Sequence, residues 1–166
     1  MKTICIDVDS TLNDHWRRIA EWAKGSGRCL TAEFHRATWT EDRPLPGAVQ
    51  ATQDFKSVAD ARIVILTARD WDMPDGKNTK TWLDRYNFWY DHVKVVGSGS
   101  MKPFYLRDRK IDLFVDDFTA GQESRCPKLD VRIYEACVKT GVPVEPFRNN
   151  WPEIVDRWLR NWGLEE

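Results

Sequence analysis

Two aspartates stand two positions apart near the start of the chain, Asp7 and Asp9. On extended backbone such residues point to the same side, and two crowded carboxylates repel unless a proton or cation lies between them. A hard divalent cation with oxygen ligands meets that need, and Asp116 or Asp117 can complete the site from elsewhere in the chain. Magnesium suits a site of few carboxylates, several waters and a substrate phosphate. A calcium loop also opens on alternating acidic residues, but here Leu12 stands where glycine is needed and Arg18 where a bidentate glutamate is needed. Taken singly, the Asp-x-Asp-x-Thr stretch reads as a turn with Thr11 capping a helix, and Asp116-Asp117 as a surface turn.

What lifts these residues above that reading is the elements that must carry them. Lys2 to Val8 is a short β-branched run that ends on the first aspartates, and Arg62 to Leu66 breaks off at Thr67-Ala68-Arg69. Ile111 to Val115 ends at Asp116-Asp117. Apolar runs of this kind suit strands buried on both faces of a parallel sheet. Val93 to Val96 and Val131 to Tyr134 read as further strands. Helical patterns fall at Asn13 to Lys24, Ala48 to Val58, Thr79 to Tyr86, Pro103 to Asp108 and Trp151 to Trp162, with a polar loop from Asp70 to Asn78. Alternating strands and helices predict an α/β domain with a parallel sheet, in which ligands bind beyond the carboxyl ends of the strands.

The length of 166 residues fits a single domain. A net charge of −1 leaves no broad electrostatic footprint for long nucleic acid or an anionic membrane. No stretch reaches membrane-spanning length and the first residues lack a signal peptide's apolar run. Cys5, Cys29, Cys126 and Cys137 show no zinc-ligand spacing and are read as reduced, which fits the cytoplasm. His15, His35 and His92 show no partner pattern, so structural or surface roles are expected of them.

Asp7-Val8-Asp9-Ser10-Thr11, Leu66-Thr67-Ala68-Arg69, Lys102 and Val115-Asp116-Asp117, in that order, resemble the four motifs of the haloacid dehalogenase (HAD) superfamily of phosphohydrolases. Ser10 stands where that superfamily usually has glycine, and Pro44-Leu45-Pro46-Gly47-Ala48 resembles its return from cap to core. The resemblance implies a three-layer α/β/α, Rossmann-like (HAD-like) domain with a parallel sheet, and a small helical cap inserted at about residues 13–43. It implies that Asp7 forms an aspartyl phosphate, that Asp9 transfers protons, and that Thr67 binds a phosphoryl oxygen. Lys102 would neutralise the nucleophile and the phosphate, with Lys110 its rival. Asp7, the backbone carbonyl of Asp9, and Asp116 would hold Mg2+, with Asp117 nearby.

Within the superfamily the chain is similar to the 5'(3')-deoxyribonucleotidase-type branch, through Thr79-Lys80-Thr81-Trp82-Leu83, Tyr90-Asp91 and Pro146 to Trp151. A small-molecule phosphate ester, a nucleoside or deoxynucleoside monophosphate, is therefore the expected substrate of a monomer or homodimer. Trp16, Phe34, Trp39 and Trp71 are expected at the rim of the strand ends, where aromatic faces stack on a base at roughly 1–3 kcal/mol each. Core packing is the competing role for each. Ala68 and Arg69 are expected to line the substrate site, Arg69 meeting a phosphate or base edge. The alternatives are a phosphatase on a sugar phosphate or a nucleic-acid 3'-phosphate end, and a catalytically silent binding module on the same fold.

Overall fold

The computed structural model describes residues 1–26, 32–120 and 128–164. Its strands are β1 (Thr3–Ile6), β2 (Arg62–Thr67), β3 (His92–Val95), β4 (Leu113–Asp116), a short pair β5 (Thr119–Ala120) and β6 (Lys128–Leu129), and β7 (Val144–Pro146). Its helices are α1 (His15–Ser26), α2 (Ala32–Thr38), α3 (Ala48–Ala59), α4 (Lys77–Arg85), α5 (Lys102–Arg107), α6 (Val131–Val138) and α7 (Trp151–Asn161).

The apolar runs become strands because both faces of the sheet are covered. In β1, Ile4 and Ile6 join one buried cluster with Phe55 of α3 and Ile154 of α7, while Cys5 joins the other with Leu106 of α5 and Cys137 of α6. Burying a side chain of that size stabilises by about 1.5–3 kcal/mol. The sheet has the order β3-β2-β1-β4-β7 with every pair parallel. Ile4 lies between Ile63 of β2 and Leu113 of β4. The chain builds β2 and β3 on one side of β1, then crosses to place β4 and β7 on the other. The switch point therefore falls between β1 and β4, where open sheets of this class bind ligands.

One expected strand is not a strand. Val131 to Tyr134 opens α6, because Asp130 accepts the Ile133 amide and so caps a helix there. The fifth strand of the main sheet is β7, whose three residues are too few to stand out as an apolar run. The polar loop after β2 also holds a 3-10 turn, Asp70–Asp72. Cys5 and Cys137 are free, buried thiols; Cys29 and Cys126 lie outside the described residues. Among the described residues, no helix is long and apolar enough to cross a membrane.

Candidate active site

β1 ends at Ile6, and the Asp7 amide still donates to Val115 of β4 at 2.9 Å, so the Asp7 carboxylate is held at the switch point. The backbone then curls: the amides of Thr11, Leu12 and Asn13 all point at the Val8 carbonyl. Ser10 takes the left-handed conformation at φ 64°, which accounts for the glycine usual in the superfamily.

Thr11 does not cap α1. Its hydroxyl lies 3.1 Å from Asp7 Oδ2 and accepts the Asp117 amide at 3.0 Å, tying the loop after β1 to the end of β4.

Lys102, the first residue of α5, reaches the same point. Its Nζ donates to Asp7 Oδ1 at 2.7 Å and to Asp116 Oδ2 at 2.6 Å, and the side chain is buried. Lys110 is exposed, before β4, and takes no part. Burial alone would lower the Lys102 ammonium's pKa, but Asp116 and Asp7 outweigh it and hold the group charged. Asp7 moves the other way, pushed up to about 7 by burial and then by the charge of Asp116. Asp117 is also raised, by burial first and then by Asp116 and Asp7.

One oxygen from each of Asp7, Asp116 and Asp117 lies within 4.8 Å of the others, and one lysine does not balance three carboxylates. Asp117 Oδ2 is buried with no hydrogen-bond partner. An all-oxygen donor set with surplus negative charge and an orphaned buried oxygen fits a hard divalent cation such as Mg2+. Thr67 Oγ1, at the end of β2, is likewise buried without a partner. Such a hydroxyl is costly to leave unpaired.

Asp9 faces a different environment. Arg69 grips it with Nε at 3.0 Å from Oδ2 and Nη2 at 2.6 Å from Oδ1, and Asn13 adds a donor at 3.1 Å. Burial would raise the Asp9 carboxyl, but Arg69 overrides it and holds the group well below the usual carboxylate range. Arg69 is 2% exposed and also binds Asp42 and Thr79, so it buttresses Asp9 instead of meeting a phosphate or base edge. Two of the three histidines, His15 and His35, have partners. His15 Nδ1 lies 3.0 Å from Asp42, and its Nε2 lies 3.0 Å from His35 Nδ1. Asp42 is thus the buried hub that joins His15, Arg18 and Arg69. The sequence offered one sign of it: an acidic residue just before the Pro44 return, 27 positions from a histidine.

Of the four aromatics expected at the rim, Trp16 lines a cavity of about 320 Å³ together with Asp7, Asp9, Ala68, Lys102 and Asp116. Trp71 is buried, stacked on His35 and under Arg69. Trp39 packs against the main core with Arg85 over its ring, and Phe34 meets His35 edge-on. These three pack against His35, Arg69, Arg85 and the main core, and none of them lines that cavity.

The chain overlays along 95% of its length on a HAD-superfamily hydrolase of subfamily IA, variant 1, from Geobacter sulfurreducens, covering 96% of that chain at a TM-score of 0.52 and 16% identity. The fold is that of the haloacid dehalogenase superfamily. A looser overlay, at TM-score 0.42 and 13% identity, is on a provisionally named beta-phosphoglucomutase from Thermotoga maritima, covering 93% of this chain and 91% of that one. In sequence, the chain is 30% identical over 115 residues to YqfW of Bacillus subtilis strain 168, provisionally named a nucleotidase; the match covers 60% of this chain. The chain spans about half the length of that relative, 52%. No protein-family profile matches. The stretches expected to resemble nucleotidases have structural work to do in this HAD fold. Thr79 binds Asp72 and Arg69, Trp82 Nε1 donates to Asp42, and Trp151 Nε1 donates to Thr11.

Proposed function

We propose that this chain is a Mg2+-dependent phosphomonoesterase that works through an aspartyl phosphate on Asp7, with nucleoside or deoxynucleoside monophosphates as substrates. The observation that carries this reading is Lys102 Nζ set between Asp7 and Asp116 at 2.7 and 2.6 Å, at the carboxyl ends of adjacent parallel strands. Asp7, Asp116 and Asp117, with the Asp9 carbonyl, would hold the cation, which supplies charge neutralisation on the phosphate when bound.

An Asp7 oxygen forms a bond to phosphorus as the bond from phosphorus to the ester oxygen breaks. The departing oxygen takes a proton from Asp9. Water then attacks the phosphorus of the aspartyl phosphate and returns a proton to Asp9, orthophosphate departs, and Asp7 regains its carboxylate. The Arg69 ion pair holds Asp9 ionised, the state that accepts the proton from water; the first half needs Asp9 protonated, which this pairing opposes. Lys102 and Thr67 would hold phosphoryl oxygens, a role that the buried, unpartnered Thr67 hydroxyl supports. The nucleotide preference rests on the YqfW similarity and on Trp16 in the cavity wall.

The test is a panel of phosphate esters, including deoxynucleoside monophosphates and sugar phosphates, run on the native chain and on Asp7→Asn. Turnover of nucleotides above sugar phosphates, abolished in the variant, is expected. Full activity of Asp7→Asn overturns the covalent step, and equal rates across the panel overturn the nucleotide assignment.

A further inference from the structure

Beside the nucleophile cavity lies a larger one, of about 750 Å³, and Asp117 and Thr119 line both. Its lining carries three cations, Arg17, Lys128 and Arg148, over the apolar side chains of Leu45 and Phe147. Arg17 and Lys128 have no ion-pair or hydrogen-bond partner among the described residues. Arg148 is fixed through Nη1 to the carbonyls of Asp117 and Phe147, at 3.1 and 2.6 Å, which leaves Nη2 unpaired. Against these three cations the lining sets two carboxylates, Asp14 and Asp117. Asp117 belongs to the nucleophile cluster, and Asp14 accepts the Arg43 amide at 2.8 Å. A recess with spare positive charge, opening off a site that takes one phosphate, is built for a second anionic group on the same molecule. Solvated surface lysines and arginines need no recess and no fixed guanidinium.

We infer that this chain's substrate is a phosphate monoester whose leaving group carries a second phosphate or a carboxylate, bound by Arg17, Lys128 and Arg148. This rests on the phosphomonoesterase reading but not on its nucleotide half: the leaving group of a nucleoside monophosphate is uncharged, which makes it the weaker substrate of the panel below. It also moves the leaving group away from Phe34, Trp39 and Trp71, toward the loop after β1 and the residues following β7.

The experiment compares p-nitrophenyl phosphate, a deoxynucleoside 5'-monophosphate, the matching 3',5'-bisphosphate, and phosphoglycolate as the carboxylate arm. The bisphosphate or phosphoglycolate is expected to exceed the monophosphate in kcat/KM by about tenfold. The double variant Arg17→Ala/Lys128→Ala is expected to erase that advantage through KM, with turnover of p-nitrophenyl phosphate unchanged. Equal kcat/KM for mono- and dianionic leaving groups, or an advantage that survives the double variant, overturns the inference. Absence of p-nitrophenyl phosphate turnover strikes instead at the phosphomonoesterase reading. Calorimetric binding of the bisphosphate to Asp7→Asn, with and without the two alanines, checks the subsite independently of turnover; equal affinity in both proteins also overturns it.

Discussion

Arg69 Nη2 lies 2.6 Å from Asp9 Oδ1 and 3.2 Å from Asp42 Oδ2, so one buried guanidinium joins the carboxylate just past β1 to the one just before Pro44. The pairing decides how Asp9 is held. A bidentate fork fixes both carboxylate oxygens, which a lysine's point charge does not. Removing the arginine leaves the half-buried Asp9 without its cation, while the buried Asp42 keeps Arg18 and His15. Arg69→Ala is therefore expected to lower unfolding free energy by about 3–5 kcal/mol, read by denaturant titration. Arg69→Lys should fold and lose turnover with little change in KM. An alanine variant as stable as the native chain would show that the pair adds nothing.

Lys102 and Lys110 were rivals in sequence and are opposites in structure, one buried between two carboxylates and the other exposed. Lys102→Ala is expected to cost roughly 100- to 1000-fold in kcat on p-nitrophenyl phosphate. Lys110→Ala should stay within a factor of about two, as exposed substitutions do. Similar losses in both would remove Lys102 from the site.

Three carboxylates around one ammonium leave surplus negative charge that a divalent cation relieves. Magnesium should therefore raise the thermal midpoint in a concentration-dependent way, by mass action on the folded state. Chelation should abolish turnover, and Asp116→Asn should weaken the magnesium-induced shift. An unchanged midpoint over a wide magnesium range would argue against a cation at this cluster.

Burial pushes the Cys5 and Cys137 thiols up to about 12, leaving almost no thiolate at neutral pH. Both should resist iodoacetamide in the folded chain and react once denaturant is added, as read by peptide mass mapping. Rapid labelling of either in the native state would contradict the burial of that face of the sheet.

Trp151 Nε1 donates to the Thr11 carbonyl at 2.8 Å, both groups buried. Trp151→Phe keeps the ring packing but orphans that carbonyl, at a cost of about 1–3 kcal/mol in stability. Because Thr11 also touches Asp7 and Asp117, kcat should fall as well. Stability lost with full kcat retained would confine the residue to a packing role.

The strand-end residues were legible because each follows an apolar run that is buried on both faces, and such runs announce themselves. Asp7, Thr67 and Asp116 arrive where their strands deliver them. The Asp42–His15–His35 chain was not legible, since its members sit on different turns of a short cap and meet only through tertiary packing. Val131 to Tyr134 misled for a related reason: β-branched and aromatic residues favour a strand until a capping aspartate and a helix-facing core decide otherwise. The tryptophans divided likewise. Ring type promised a stacking surface, but Trp39 and Trp71 went to packing and Trp16 alone of the three reached the cavity.

The bond between Trp151 and Thr11 spans 140 positions of chain. During synthesis at roughly 5–20 residues per second, the loop after β1 leaves the ribosome some 7–28 s before its anchor is made. Until then Asp7 has its strand neighbours in prospect but no finished loop beside it, and the acidic end of the sheet stays open. β1 carries Asp7, and α7, 140 positions later, completes the loop beside it.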